Sequence, residues 1–175
     1  MFSSDLEKKF SDLAIAQAKT EAQMLKTEAT LARMGIHLGG MSNNNGENTE
    51  DYFYNSLYEN RRLGNLQFDE ISRNLHGKIA RFEDEFDIAM FNGTEVALIE
   101  CKYKANESDL LKLIDKKVAN FKLLFPYYAN HNFYLGIASR SFYPQLEMQA
   151  KEKGVAILKE KGDIIEIDAN NLTIY

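Results

Sequence analysis

Cysteine is nearly absent from this chain. Cys101 is the single thiol among 175 residues, so no intrachain disulfide can form and no paired-cysteine zinc spacing exists. It has no histidine nearby in sequence, and serine or cysteine hydrolase chemistry therefore lacks its base. Also missing are a glycine-rich phosphate loop and a dinucleotide fingerprint. No uninterrupted apolar run approaches the roughly 20 residues of a membrane-spanning helix, and the opening MFSSDLEKKF has no apolar signal core. These absences together lead to the expectation of a cytoplasmic protein with no membrane partner.

Positive charge is in short supply too. The formal net charge is −5, from 21 Lys and Arg against 26 Asp and Glu, which counts against a generally basic, nucleic-acid-coating surface. The deficit is local, however. Residues 46–100 hold 5 basic and 12 acidic residues, whereas residues 101–175 hold 11 basic and 9 acidic. A site for a hard cation must be acidic, so part of the excess fits such chemistry.

What is present is ordinary globular material, 45% hydrophobic and 27% charged, long enough for one domain with an appendage. Residues 4–34 carry a helical pattern without proline or glycine. Leu6, Phe10, Leu13, Met24, Leu31 and Met34 fall on a 3–4 spacing, with Gln17, Thr20 and Thr27 in the same seam. The expected domains are an N-terminal helical, coiled-coil-like arm over 1–36, a linker over 37–45 and a globular domain over 46–175. The arm would pair two copies or dock a partner protein; the other reading is an amphipathic helix lying on its own domain. The linker is rich in glycine and asparagine, and its His37 is read as carrying no chemistry.

A second helix is expected from Asn48 or Thr49, either of which would cap it, to about Arg62, ahead of Gly64-Asn65. Glu50 falls on its apolar stripe with Phe53, Tyr54 and Leu57, an odd place for a carboxylate. The helix dipole alone would also favour an acid there. Between Gln67 and Phe82 the weak alternation predicts a strand or two, with a bulge or turn at His76-Gly77.

The centre of the chain is EFDIAMFNGTEVALIECKYK, Glu85 to Lys104. It reads as two strands joined at Asn92-Gly93, a pair suited to a type I′ turn. Side-chain alternation on the second strand puts Glu100 and Lys102 on one face and Cys101 on the other, as a small core residue. An even-numbered loop brings Asp87 to the Glu100 face. It would stand opposite Leu98 for two loop residues and opposite Glu100 for four, in either case close enough to share a small cation. Two carboxylates beside a lysine on an apolar strand are costly unless paired or bound to metal. Mg²⁺ takes such oxygens, keeps several waters and acts on phosphoryl groups, while an ammonium steadies developing phosphate charge. Glu85 shares the Asp87 face and is the substitute ligand; Glu83 and Asp84 are read as solvated.

Asp87 followed by Glu100-Cys101-Lys102 at the end of an apolar strand resembles the signature of the PD-(D/E)XK nuclease superfamily, over roughly residues 46–168. Phe86 stands where that family's proline would be. Glu7-Lys8-Lys9 also fits the short motif, but on a charged helical pattern. The resemblance implies an α/β fold: a restriction-endonuclease-like core with a central mixed β-sheet flanked by helices, here with the long N-terminal helix added. It also implies a Mg²⁺-dependent nuclease acting on DNA, with Mn²⁺ as a substitute metal. Asp87 and Glu100 would hold the metal with the Cys101 carbonyl, Lys102 would assist water or phosphate, and Glu50 would be the acid from the first helix. The alternative is a catalytically silent scaffold working through its N-terminal helix as a protein-interaction module.

The second half alternates as crossover helices joining parallel strands require. A helix is expected from Ser108 to Phe125, burying Leu110, Ile114, Val118, Phe121 and Phe125, with Lys112, Lys116, Lys117 and Lys122 on its outer face. Phe133 to Ser139 reads as a central strand. A helix from Pro144 to Gly154, a strand at Val155 to Leu158 and an edge hairpin strand at Asp163 to Ile167 complete the series.

Overall fold

The computed structural model describes residues 48–162 and 164–175, together with Ala16, Gln17, Lys19, Thr20 and Gln23, which are helical. The rest of the 1–36 arm, its coiled-coil seam and the 37–45 linker lie outside the described residues. The chain divides into two units, Met1–Asn43 and Asn44–Tyr175. The second unit contains the sheet and every candidate site residue.

Helix α1 spans residues 48–58. It already includes Asn48 and Thr49, so neither is the cap. It stops short of Arg62 because Arg61 adopts a left-handed backbone, φ 44°, that no α-helix continues. Gly64-Asn65, expected beyond the helix end, instead turns a small hairpin of β1 (Arg62–Leu63) and β2 (Leu66–Gln67). The stretch read as a strand or two is one long strand, β3 (Glu70–Ile79). His76-Gly77 is neither bulge nor turn; both residues pair with β4 (Phe82–Phe91). Gly77 is required by packing, since a Cβ there would lie 2.8 Å from Leu124 Cβ.

Strand β5 (Glu95–Lys104) follows, then α2 (Glu107–Lys112), a π-helical turn (Leu113–Lys117) and α3 (Val118–Leu124). Asn106 caps α2 in a reciprocal box with Asp109. The remaining elements are β6 (Asn132–Ser141), α4 (Pro144–Glu152), β7 (Ala156–Lys161) and β8 (Ile164–Asp168). The six longer strands form one mixed sheet in the order β3-β4-β5-β6-β7-β8. β5–β6 and β6–β7 are parallel and the other pairs antiparallel. The unit is thus α/β, a mixed six-stranded sheet flanked by helices.

Two apolar layers sandwich the sheet. On one face Leu98, Leu135 and Ile157 meet Leu110, Leu113, Phe121 and Leu146 from the helices. On the other, Ile88, Ile99 and Ala138 meet Phe53 and Leu57 of α1. Each fully buried Leu, Ile or Phe stabilises by about 1.5–3 kcal/mol relative to exposure, enough for these layers to fix where every strand end lies. Among the described residues no helix is long and apolar enough to cross a membrane.

Candidate active site

The β4–β5 turn decides the register. Asn92-Gly93 does not form a type I′ turn: neither residue has positive φ. The Asn92 carboxamide oxygen instead accepts the Thr94 and Glu95 N–H groups, at 3.0 and 2.8 Å. Phe91 pairs with Val96, so four residues intervene, and pairing continues to Ile88 with Ile99. Extended one step, this register sets Asp87 against Glu100, the four-residue alternative.

The ladder ends there. Where the next backbone pair would form, the Asp87 carboxylate accepts the Cys101 N–H at 2.7 Å, and the β3–β4 ribbon continues without β5. The parting is prepared on β3, whose pairing with β4 skips one pair, Asn74 with Asp87. Asn74 has φ 49°, which asparagine tolerates better than most residues. In consequence Ile71 packs into the α1-side layer and Leu75 into the opposite one, although four residues apart on a regular strand would share a face. Behind Asp87, the Phe86 ring meets Phe121 edge-on at 4.9 Å, anchoring the strand. The position of the missing proline is a core contact.

The gap between β4 and β5 gathers Asp87, Glu100 and Lys102, whereas Glu50 lines a separate pocket with Asp51, Arg73 and Asn74. Lys102 Nζ lies 2.6 Å from Glu100 Oε1 and 3.8 Å from Asp87 Oδ2. Asp87 and Glu100 side chains are each 14% exposed and Lys102 35%. Burial, followed by the Glu100 charge, pushes the Asp87 carboxyl up to about 7, against the pull of Lys102 and the Cys101 N–H. Burial alone would lower Lys102, but Glu100 and Asp87 outweigh it and raise the ammonium to about 12. The ammonium thus belongs chiefly to Glu100, the nearer acid, and Asp87 is left undercompensated. Glu50 of α1 reaches the same field. Burial raises its pKa, Lys102 opposes, and Glu85, Glu100 and Asp51 add to the rise. The Cys101 side chain is in the core, and burial pushes its thiol well up, away from the reactive thiolate.

Two expectations require correction. Asp84 is not simply solvated, because its carboxylate accepts Lys117 Nζ at 2.8 Å and Asn120 Nδ2 at 2.7 Å. Lys117 is not on an outer lysine face. Its ammonium also donates to the Glu85 carbonyl, lies 5.0 Å from the Phe86 ring centroid and 3.9 Å from Glu100 Oε2, and its side chain is 17% exposed. Lys117 lies four residues after buried Leu113 and four before buried Phe121, so it sits on the covered stripe of the helix. Leu113 is fully buried and Ile114 packs half-buried against the same layer. The 113/117/121 spacing was the available signal.

An open pocket of about 360 Å³ fronts Glu100 and Lys102, lined also by Asp84, Asp109, Lys112, Lys116 and Lys117, and Asp87 lies behind it, outside the lining. Asp87 and Glu100 supply hard oxygen donors, and a single cationic group, the Lys102 ammonium, already approaches both, so the donor set fits a small divalent cation. Among the described residues no three His, Cys, Asp or Glu side chains converge on one point as a ready-made cage. No family model, curated protein or solved structure matches the chain.

Proposed function

We propose that the Asn44–Tyr175 unit is a metal-dependent phosphodiesterase. The observation that carries this reading is the meeting of Asp87, Glu100 and Lys102 in the gap where β4 leaves β5. A bound Mg²⁺, or Mn²⁺ in its place, would polarise a phosphoryl oxygen and lower the pKa of a coordinated water. Asp87 and Glu100 would hold the metal, with the Cys101 carbonyl as a further oxygen. Lys102 orients the attacking water or neutralises charge gathering on the phosphate. Glu50, on the α1 side of the same field, orients water in the outer sphere.

The substrate we propose is DNA. Lys112 and Lys116 line the pocket beside Lys102 and Lys117, and this cluster of ammonium groups supports a polyanionic substrate. The order of elements also supports a core of the restriction-endonuclease-like kind: helix, antiparallel three-strand meander, helix, strand, helix, strand. Incubation of the full chain with supercoiled and linear DNA plus Mg²⁺ or Mn²⁺ tests the reading. Cleavage should be lost in both Glu100→Ala and Lys102→Ala; full activity in either variant removes the assignment. No cleavage by the unaltered chain would favour the silent scaffold.

A further inference from the structure

The two lysines that reach Glu100 are held differently. Lys117 is anchored by Asp84 at 2.8 Å and by the Glu85 carbonyl, with the Phe86 ring beneath it. Among the described residues the ion pairs of Lys102 are with Glu100 and Asp87, the two groups the proposed reaction needs, and its side chain is twice as exposed, 35% against 17%. One ammonium has anchors outside the carboxylate pair, and the other is held by that pair. A cation at 2.6 Å from one carboxylate and 3.8 Å from the other stands where any second cation between those carboxylates would have to go.

We infer that Lys102 is a resident cation of the metal-free site, exchanged rather than merely present. It vacates the space between Glu100 and Asp87 when a divalent ion enters, and it turns to the substrate phosphate, so that divalent ion and phosphate bind with positive coupling. This rests on the metal-dependent reading of the site. Lys117 stays in place throughout and keeps Glu100 oriented. The device keeps Glu100 compensated before loading, and it delivers the ammonium to the phosphate only once the metal is in place. Because linkage is reciprocal, an anion that draws Lys102 outward must tighten metal binding by the same factor that metal tightens the anion.

The test is Mn²⁺ binding at pH 8, read from the electron paramagnetic resonance signal of free Mn²⁺, with and without thymidine 5′-monophosphate. The full chain should bind Mn²⁺ several-fold more tightly with the nucleotide present. Lys102→Met should bind Mn²⁺ about tenfold more tightly than the unaltered protein without nucleotide, an ordinary size for coupled sites, and gain nothing further from it. Lys102→Arg, which keeps the charge, should retain the coupling, and Lys117→Met should not show the tightening. Equal or weaker Mn²⁺ binding in Lys102→Met, with Asp87→Asn and Glu100→Gln still abolishing binding, overturns the exchange but leaves the metal site standing. Binding that survives both carboxamide variants, or no binding in any form, overturns the exchange and the metal-dependent reading together.

Discussion

The Asp87 carboxylate takes the Cys101 N–H at 2.7 Å, in the position a β4 carbonyl would occupy had the strands stayed paired. A candidate metal ligand thus completes a backbone hydrogen bond. Two substitutions separate these duties. Asp87→Asn keeps an acceptor and removes a buried charge facing Glu100, so in EDTA at pH 8 it should stabilise the fold by about 1–3 kcal/mol. Asp87→Ala also removes the charge but leaves the Cys101 N–H without its acceptor, which costs about 1–3 kcal/mol. Urea denaturation should therefore rank Asp87→Asn above Asp87→Ala, and both should lose metal-dependent cleavage.

Asp84 gives a pH signature in the metal-free fold. Burial pushes its carboxyl up, but the hydrogen bonds from Lys117 and Asn120 outweigh that and hold it below the ordinary range. The folded state binds this proton less tightly than the unfolded chain. Its contribution is complete above the unfolded value of about 3.9 and is lost as pH falls through the lowered folded value. Asp84→Asn should cost about 1 kcal/mol at neutral pH after solvent screening. It should also flatten the fall in urea midpoint on acidification below about pH 4. Parallel curves for the two proteins would contradict the assignment.

Two glycines should respond oppositely to alanine. At Gly77 the new Cβ meets Leu124 Cβ at 2.8 Å and Phe125 Cζ at 3.0 Å, so Gly77→Ala should destabilise by about 1–3 kcal/mol as α3 is pushed off β3. At Gly93 nothing lies within 4 Å and the backbone needs no positive φ. Gly93→Ala should be neutral or stabilising by up to about 1 kcal/mol. A large loss at Gly93 would restore the type I′ turn that the structure lacks.

On the proposed reading Glu50 would act from outside the metal's ligand set. Glu50→Gln should lower cleavage by about 10–100-fold, the usual range for groups that orient ligands, and leave residual metal-dependent activity. Steady-state kinetics against Glu100→Gln checks this. Equal losses in the two variants would place Glu50 among the ligands instead.

Alternation along β5 made much of this legible in the sequence: Glu100 and Lys102 share a face and Cys101 turns to the core, as the strand period dictates. The sequence left two registers for Asp87, because loop length follows from how the Asn92 side chain bonds, and that competes with the Asn-Gly preference for a tight turn. Lys117 and Asp84 were hidden for a different reason. Their charge argues for solvent, although Lys117, four residues after Leu113 and four before Phe121, falls on the buried helical stripe. Asn74 carries no pattern at all; its left-handed backbone sits where the β3–β4 pairing skips one pair. The crossover helices and parallel strands, by contrast, follow from long apolar runs that have only one way to be covered.

The most direct test of the central claim is an anomalous diffraction map from a crystal of the full chain soaked in Mn²⁺. The account predicts a peak between β4 and β5, about 2.1 Å from carboxylate oxygens of both Asp87 and Glu100, with Lys102 Nζ withdrawn from Glu100. A peak elsewhere, or carboxylates still bridged by Lys102 at saturating Mn²⁺, would contradict it.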